Sequence, residues 1–145
     1  MEIKNITIIG AGNMGHQIAL CAALAGFRVK CTDTNAEILN KATQFADNYL
    51  KERVEKGKLS AELAEEARGN LSFVTTIEEA VNEADLVIEA IIENLEIKRK
   101  LFSQLDKICP EHTILTTNSS YIVSSKIADA TQRPDKVCNM HFFNP

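Results

Sequence analysis

A glycine-rich turn near the amino terminus constrains the fold of this chain more than any other feature. The turn consists of Gly10, Ala11, Gly12, Asn13, Met14 and Gly15, in the spacing GxGxxG. It follows four β-branched residues at positions 6–9, which predict a strand, and it opens a small-residue helix predicted over residues 13–25. In such a unit Gly10 permits the tight turn, Gly12 lets a pyrophosphate approach the backbone, and Gly15 allows close helix–strand packing. The turn therefore predicts a dinucleotide-binding strand–turn–helix unit, with the phosphates at the helix N-terminus.

Short β-branched runs alternate with longer amphipathic stretches along the rest of the chain, which is typical of a parallel α/β sheet. Further strands are predicted at residues 28–32, 71–75, 86–90, 113–117 and 137–142. Later helices are predicted at residues 77–83, 95–108 and 123–130. Between strands two and three, a long helix ending near Gly57 and a second ending at Gly69 form a helical hairpin. We therefore predict a Rossmann-type doubly wound parallel sheet with a helical hairpin inserted after strand two.

Composition excludes several other classes of protein. The 145 residues are 45% hydrophobic and 25% charged, as expected for one globular domain. The net charge is −4, and the absence of a basic stripe argues against nucleic acid and anionic membranes as partners. No apolar run reaches the roughly 20 residues of a membrane span, and the amino terminus does not resemble a signal peptide. The four cysteines lack metal-site spacing, so we expect reduced structural thiols, no metal site and a cytoplasmic location.

An acidic residue follows the second predicted strand. Asp33 stands where a carboxylate would bond both adenosine ribose hydroxyls and repel a 2′-phosphate, which predicts NAD rather than NADP. The alternative is that Asp33 only caps the helix that follows it.

Polar residues also end the later strands, where ligands of open α/β sheets bind. Glu93 follows strand four, Ser120 follows strand five, and His141 lies at the end of strand six. A histidine that takes a hydroxyl proton and a serine that orients the oxygen suit hydride transfer from an alcohol to a nicotinamide. Because His141 precedes two phenylalanines, the alternative is a core histidine.

These residues resemble the NAD-binding domain of the L-3-hydroxyacyl-CoA dehydrogenase family, which includes the bacterial 3-hydroxybutyryl-CoA dehydrogenases. The resemblance covers residues 3–145, and its most specific stretches are residues 10–15, 89–98, 117–120 and 141–145. The final block, His-Phe-Phe-Asn-Pro, is close to diagnostic, and the helical hairpin also fits. The family usually has Asn-Thr-Ser-Ser where this chain has Asn118-Ser119-Ser120-Tyr121, and Tyr49 replaces a small polar contact to coenzyme A.

The resemblance implies a role for each matching residue. His141 would be the base that removes the 3-hydroxyl proton, and Ser120 would hydrogen-bond the substrate oxygen and border the cofactor. Glu93 and Lys98 would contact the cofactor on the nicotinamide side, and Asn144 would hold the nicotinamide end. Lys56 would contact the nucleotide of coenzyme A.

The resemblance also implies a larger active site than these residues form. Family members are about twice as long, with a helical second domain that forms the dimer, closes over the substrate and supplies the acid orienting the histidine. We expect residues 1–145 to be the NAD-binding domain alone and incomplete as a catalyst. The expected partners are an acyl-CoA thioester and either another copy of the chain or a separate polypeptide with the second domain.

Two other functions remain open from the sequence. A non-catalytic NAD-binding or interaction module would bind NAD without acyl-CoA turnover. Another Rossmann oxidoreductase, such as a β-hydroxyacid dehydrogenase, would act on free hydroxyacids; the hairpin and the block at residues 141–145 argue against it.

Overall fold

Six parallel strands form the centre of the fold, in the order β3-β2-β1-β4-β5-β6. The computed structural model describes residues 1–143. The strands are β1 Asn5–Ile9, β2 Arg28–Thr32, β3 Leu71–Val74, β4 Leu86–Glu89, β5 Ile114–Thr117 and β6 Val137–Asn139. The helices are α1 Gly15–Leu24, α2 Ala36–Glu55, α3 Ala61–Asn70, α4 Ile77–Val81, α5 Leu95–Ile108 and α6 Ser125–Ala128, with a 3-10 turn at Pro134–Lys136. The order reverses between β1 and β4, which confirms the predicted doubly wound arrangement and places a crevice at their carboxyl ends.

Helices cover both faces of the sheet because alternate residues of each strand point to opposite faces. Ile8 of β1 and Ile88 of β4 lie in an apolar cluster with α1, α2 and α3. Val87 of β4 and Leu115 of β5 lie in a second cluster, with α4, α5 and α6. The strands are consequently apolar on both faces, as buried parallel strands require.

The predicted helical hairpin is present between β2 and β3. The Asn35 side chain accepts the backbone N–H groups of Glu37 and Ile38 at the start of α2, and Ser60 accepts the N–H of Leu63 at the start of α3. These caps satisfy N–H groups that lack partners within each helix. The chain reverses at Gly57, whose φ of 66° is readily adopted only by glycine.

Two elements near the carboxyl end are shorter than predicted. Strand β6 ends at Asn139 rather than residue 142, because Asn139 pairs with Thr117, the last residue of β5, and no strand extends beside the residues after it. Helix α6 spans Ser125–Ala128 instead of residues 123–130, because the backbone bonds at both ends are of the 3-10 type, from the N–H of Lys126 to the carbonyl of Val123 and from the N–H of Ala130 to the carbonyl of Ile127. His141 therefore lies beyond the sheet.

None of the helices within residues 1–143 combines the length and apolar composition needed to cross a membrane.

Asp85, just before β4, makes stability depend on acid pH. Partial burial by itself would raise the pKa of Asp85, but hydrogen bonds from the N–H groups of Asn5 and Lys4 and from His112 lower it from 3.8 to about 2. Since the folded pKa lies below the unfolded value, this stabilisation is present above about pH 4 and is lost as pH falls toward 2. We expect Asp85→Asn to remove roughly 1–2 kcal/mol of stability at pH 7 and less at pH 2.5.

Urea unfolding of both proteins between pH 7 and pH 2.5 measures this difference. Glu66→Gln is the matched control, since Glu66 is exposed on α3. If Asp85→Asn loses the same free energy of unfolding at every pH in this range, the lowered pKa of Asp85 is not the source of the loss.

Candidate active site

The glycine turn joins β1 to α1 with almost no space for side chains at two positions. Gly10 has φ 101°, and a Cβ there would lie 2.6 Å from the carbonyl oxygen of Ala90. A Cβ at Gly15 would lie 1.7 Å from the carbonyl oxygen of Gly10. At Gly12, in contrast, a Cβ would have no neighbour within 4 Å. The turn is thus tightly packed where it meets the sheet and open where a phosphate would approach the helix N-terminus.

Asp33 holds the turn in place from the end of β2. Its Oδ2 accepts the N–H of Ala11 at 2.8 Å, and its Oδ1 accepts the N–H of Asn35 at 2.8 Å. The helix-capping contacts belong to Asn35 rather than to Asp33. The half-buried Asp33 carboxylate therefore lies between the glycine turn and the start of α2, with oxygen lone pairs left for further donors.

Ser120 and His141 come together although 21 residues separate them. Ser120 Oγ lies 2.9 Å from His141 Nε2, and both side chains are exposed. The backbone around His141 is fixed by the next residue, because the N–H of Phe142 donates to Asn118 Oδ1 at 2.7 Å. A serine hydroxyl and an imidazole at this distance can both hydrogen-bond the oxygen of a bound alcohol or ketone, and the imidazole can take up the proton of the alcohol. The alternative of a core histidine is therefore wrong.

The other predicted cofactor contacts differ in their surroundings. Lys98 is buried, with a side chain 1% exposed, and its Nζ lies 2.6 Å from Glu89 Oε2 and 3.7 Å from Glu93 Oε1. The side chain of Glu93 is 40% exposed, and its Oε1 accepts the hydroxyl of Ser119 at 2.5 Å. The structure thus presents Glu93 to the crevice and places the Lys98 ammonium behind it.

Lys56 and Asn144 are not placed with this group. Lys56 lies at the carboxyl end of α2 and pairs with Glu52, whose pKa it lowers through a hydrogen bond. Asn144 lies outside the described residues, and so does the contact predicted for it.

These groups are connected by Glu89, Thr117 and Ser119, for which no individual role was predicted from the sequence. Glu89 is 0% exposed, and its Oε1 accepts the Thr117 hydroxyl at 2.8 Å. The available signal was an acid ending the otherwise apolar strand Leu86–Glu89, since a carboxylate is rarely buried without partners.

Two of the cysteines are inert structural thiols, as predicted. Burial, with the nearby Asp33 carboxylate, raises the pKa of the Cys31 thiol to about 12. Burial likewise raises the pKa of Cys109 to about 11. Neither thiol forms an appreciable amount of thiolate near neutral pH.

An apolar groove runs from the site toward the hairpin. It is lined by Met14 and Gln17 beside the turn, by Phe45 and Tyr49 of α2, and by Phe142 and Phe143. The Phe143 ring lies 4.8 Å from the His141 ring, measured between centroids. An extended apolar group bound in this groove would therefore end beside His141.

Known proteins match the chain over nearly its whole length. The family model for the NAD-binding domain of 3-hydroxyacyl-CoA dehydrogenase matches residues 5–145. The chain is 44% identical, over its whole length, to a probable 3-hydroxybutyryl-CoA dehydrogenase of Bacillus subtilis, of which it spans 50%. It is 40% identical to the rat mitochondrial hydroxyacyl-coenzyme A dehydrogenase, with 99% of this chain and 47% of that protein aligned.

A solved structure shows the same fold. The 3-hydroxybutyryl-CoA dehydrogenase of Escherichia coli K12 superposes with a TM-score of 0.95 at 43% identity, covering 100% of this chain and 30% of that one. The chain thus spans half or less of each of these relatives.

Proposed function

Since the chain belongs to the 3-hydroxyacyl-CoA dehydrogenase family and comprises its NAD-binding domain, we propose that it contributes the cofactor site and catalytic base of such an enzyme. The reaction is the oxidation of an L-3-hydroxyacyl-CoA by NAD to a 3-oxoacyl-CoA, and its reverse. The observation that supports this function most directly is the Ser120–His141 contact of 2.9 Å at the carboxyl edge of the sheet.

The residues of the turn fit the cofactor. Gly12 leaves open space at the amino end of α1, and Asp33 lies beside the turn with a carboxylate suited to ribose hydroxyls. NAD, when bound, accepts the hydride from C3 of the substrate. In this proposal Glu93 and Lys98 serve the nicotinamide side of the cofactor, since β4 lies across β1 from β2, which is followed by Asp33. Asn144 completes the proposed contacts at the nicotinamide end.

In this proposal His141 removes the proton of the substrate 3-hydroxyl group and Ser120 positions the oxygen. His141 Nε2 would take the 3-hydroxyl proton when the alcohol is oxidised, and it would return a proton to the ketone oxygen in the reverse direction. Ser120 hydrogen-bonds the substrate oxygen and keeps it within reach of His141. Both side chains are exposed, as contact with a substrate requires.

The apolar groove supports an acyl-CoA thioester as the substrate. Its aromatic side chains extend from Phe143 beside His141 to Tyr49 on α2, and Lys56 follows near the end of the same helix. In this proposal the groove receives the apolar part of the thioester and Lys56 contacts a coenzyme A phosphate.

In this proposal the complete active site also needs a second domain, and the protein partner is either another copy of the chain or a separate polypeptide that carries the second domain. The four cysteines are free, which supports a reducing compartment such as the cytoplasm.

Calorimetric titration of the 145-residue chain with NADH tests the cofactor site. We expect one-to-one binding, with NADPH at least tenfold weaker because Asp33 would repel a 2′-phosphate. A chain that is folded by circular dichroism but binds no NADH would reject the proposal.

Asp33→Ala tests the ribose contact. We expect the binding free energy of NADH to weaken by about 1–3 kcal/mol through the lost charged hydrogen bonds. We also expect the ratio of NADH affinity to NADPH affinity to decrease. Asn35→Ala is the control, because it removes the α2 cap at a cost of about 1 kcal/mol of stability and leaves the carboxylate. Equal NADH affinity in Asp33→Ala and the original chain would exclude the ribose assignment.

A further inference from the structure

A buried carboxylate joins the ends of two central strands behind the active site. Glu89 and Thr117 are paired last residues of β4 and β5. Both oxygens of Glu89 are engaged: Oε1 accepts the Thr117 hydroxyl at 2.8 Å, and Oε2 accepts Lys98 Nζ at 2.6 Å and the N–H of Ile91 at 2.8 Å. A buried carboxylate with this many donors is held in one position.

Two paths of polar contacts lead from Glu89 to Ser119. One passes through Thr117 Oγ1, which accepts the N–H of Ser119 at 3.2 Å. The other passes through Lys98, whose Nζ lies 3.7 Å from Glu93 Oε1. Glu93 Oε1 in turn accepts the Ser119 hydroxyl at 2.5 Å. Ser119 is 6% exposed, so both its backbone and its side chain are fixed from inside the protein.

The next residue, Ser120, is exposed. It lies in the turn between β5 and α6, where a polar residue would otherwise sample several orientations. Its hydroxyl nevertheless lies 2.9 Å from His141 Nε2. Reacting groups lose much of their effect when displaced by about 1 Å, so a rigid support for Ser120 has a direct catalytic consequence.

We propose that Glu89 is a positioning residue, which holds the turn at residues 117–120 through Thr117, Lys98 and Ser119 so that Ser120 meets His141. Glu89 touches neither substrate nor cofactor in this role. The significance for catalysis rests on the function proposed above for His141 and Ser120, whereas the positioning itself is measurable without cofactor.

Nitrogen-15 NMR of the histidine rings in the 145-residue chain tests the proposal. The chain has three histidines, and His16→Gln and His112→Gln assign their signals. Ser120→Ala removes the serine hydroxyl and so gives the reference nitrogen-15 shifts of the His141 ring without this contact. We expect Glu89→Gln and Thr117→Val each to move the His141 shifts at least halfway toward the Ser120→Ala values, with NADH binding about fivefold weaker.

Asp106→Asn is the matched control at the opposite end of α5. Asp106 is another mostly buried carboxylate in an ion pair, with Arg133 Nε 2.8 Å from its Oδ1. We expect Asp106→Asn to lower the melting temperature while leaving the His141 shifts and NADH affinity unchanged. A change in those shifts equal to that in Glu89→Gln would mean a general loss of packing and would overturn the proposal.

Thr117→Val keeps the test decisive if Glu89→Gln does not fold, because it leaves the Glu89–Lys98 pair intact and removes the Thr117 hydroxyl that joins Glu89 to the backbone N–H of Ser119. Unchanged His141 shifts in folded Thr117→Val would overturn the proposal. Absence of NADH binding to the unaltered chain would instead reject the proposed function, since the ring shifts are recorded without cofactor.

Discussion

Replacing His141 with glutamine is expected to lower turnover by about 10²- to 10⁴-fold, the usual contribution of a general base. Glutamine cannot accept the hydroxyl proton, although its amide can still contact Ser120. NADH affinity should remain within about twofold, because the proposed phosphate and ribose contacts at the glycine turn and Asp33 do not involve the His141 side chain. The measurement is NADH-dependent reduction of acetoacetyl-CoA by a chimera in which this chain replaces the matching half of the Bacillus subtilis relative.

His112→Gln is the control for this experiment. His112 pairs with Asp85 at 2.8 Å before β4, at the opposite end of the strands, so its loss should leave turnover unchanged. Retained turnover in His141→Gln would exclude His141 as the base. If the unaltered chimera folds and binds NADH without turnover, the result favours the alternative of a non-catalytic NAD-binding module.

Replacing Gly15 with alanine is expected to destabilise the domain by about 3 kcal/mol or more and to abolish NADH binding. The added Cβ would lie 1.7 Å from the Gly10 carbonyl oxygen, and backbone atoms at that position cannot move without separating α1 from β1. Urea unfolding measures the stability, and calorimetric titration measures the binding.

Gly12→Ala separates the two effects. Its Cβ would meet no protein atom within 4 Å, so stability should change by less than about 0.5 kcal/mol, while NADH binding weakens at least tenfold because the methyl group occupies the phosphate approach. Gly69→Ala is the control, because Gly69 lies on α3 and a Cβ there would also have no neighbour within 4 Å. It should bind NADH normally and gain up to about 1 kcal/mol of helix stability. Strong NADH binding by Gly12→Ala would place the pyrophosphate elsewhere.

The sequence was sufficient for the fold class and most element positions. The doubly wound parallel sheet, the hairpin and the limits of β2 and α5 agree with the structure. The physical reason is that these features depend on local signals, namely β-branched runs, helical periodicity and glycines at turns that need a positive φ. The prediction for β6 was too long because the limit of this strand depends on where the neighbouring strand β5 ends, and the prediction for α6 was too long at both ends.

The same distinction applies to the site. Residue type and spacing predicted the glycine turn, Asp33, Ser120 and His141 as functional candidates. Only the tertiary structure decided that Lys98 is buried against Glu89 while Glu93 faces the crevice. Glu89 is only nine residues from Lys98 in sequence, but the burial of both charges depends on how β4 packs beside β5, which supplies the Thr117 hydroxyl to Glu89, and no local pattern specifies that packing. The sequence by itself therefore determined the fold and the candidate chemistry, and the packing of β4 beside β5 decided which groups surround the reacting pair.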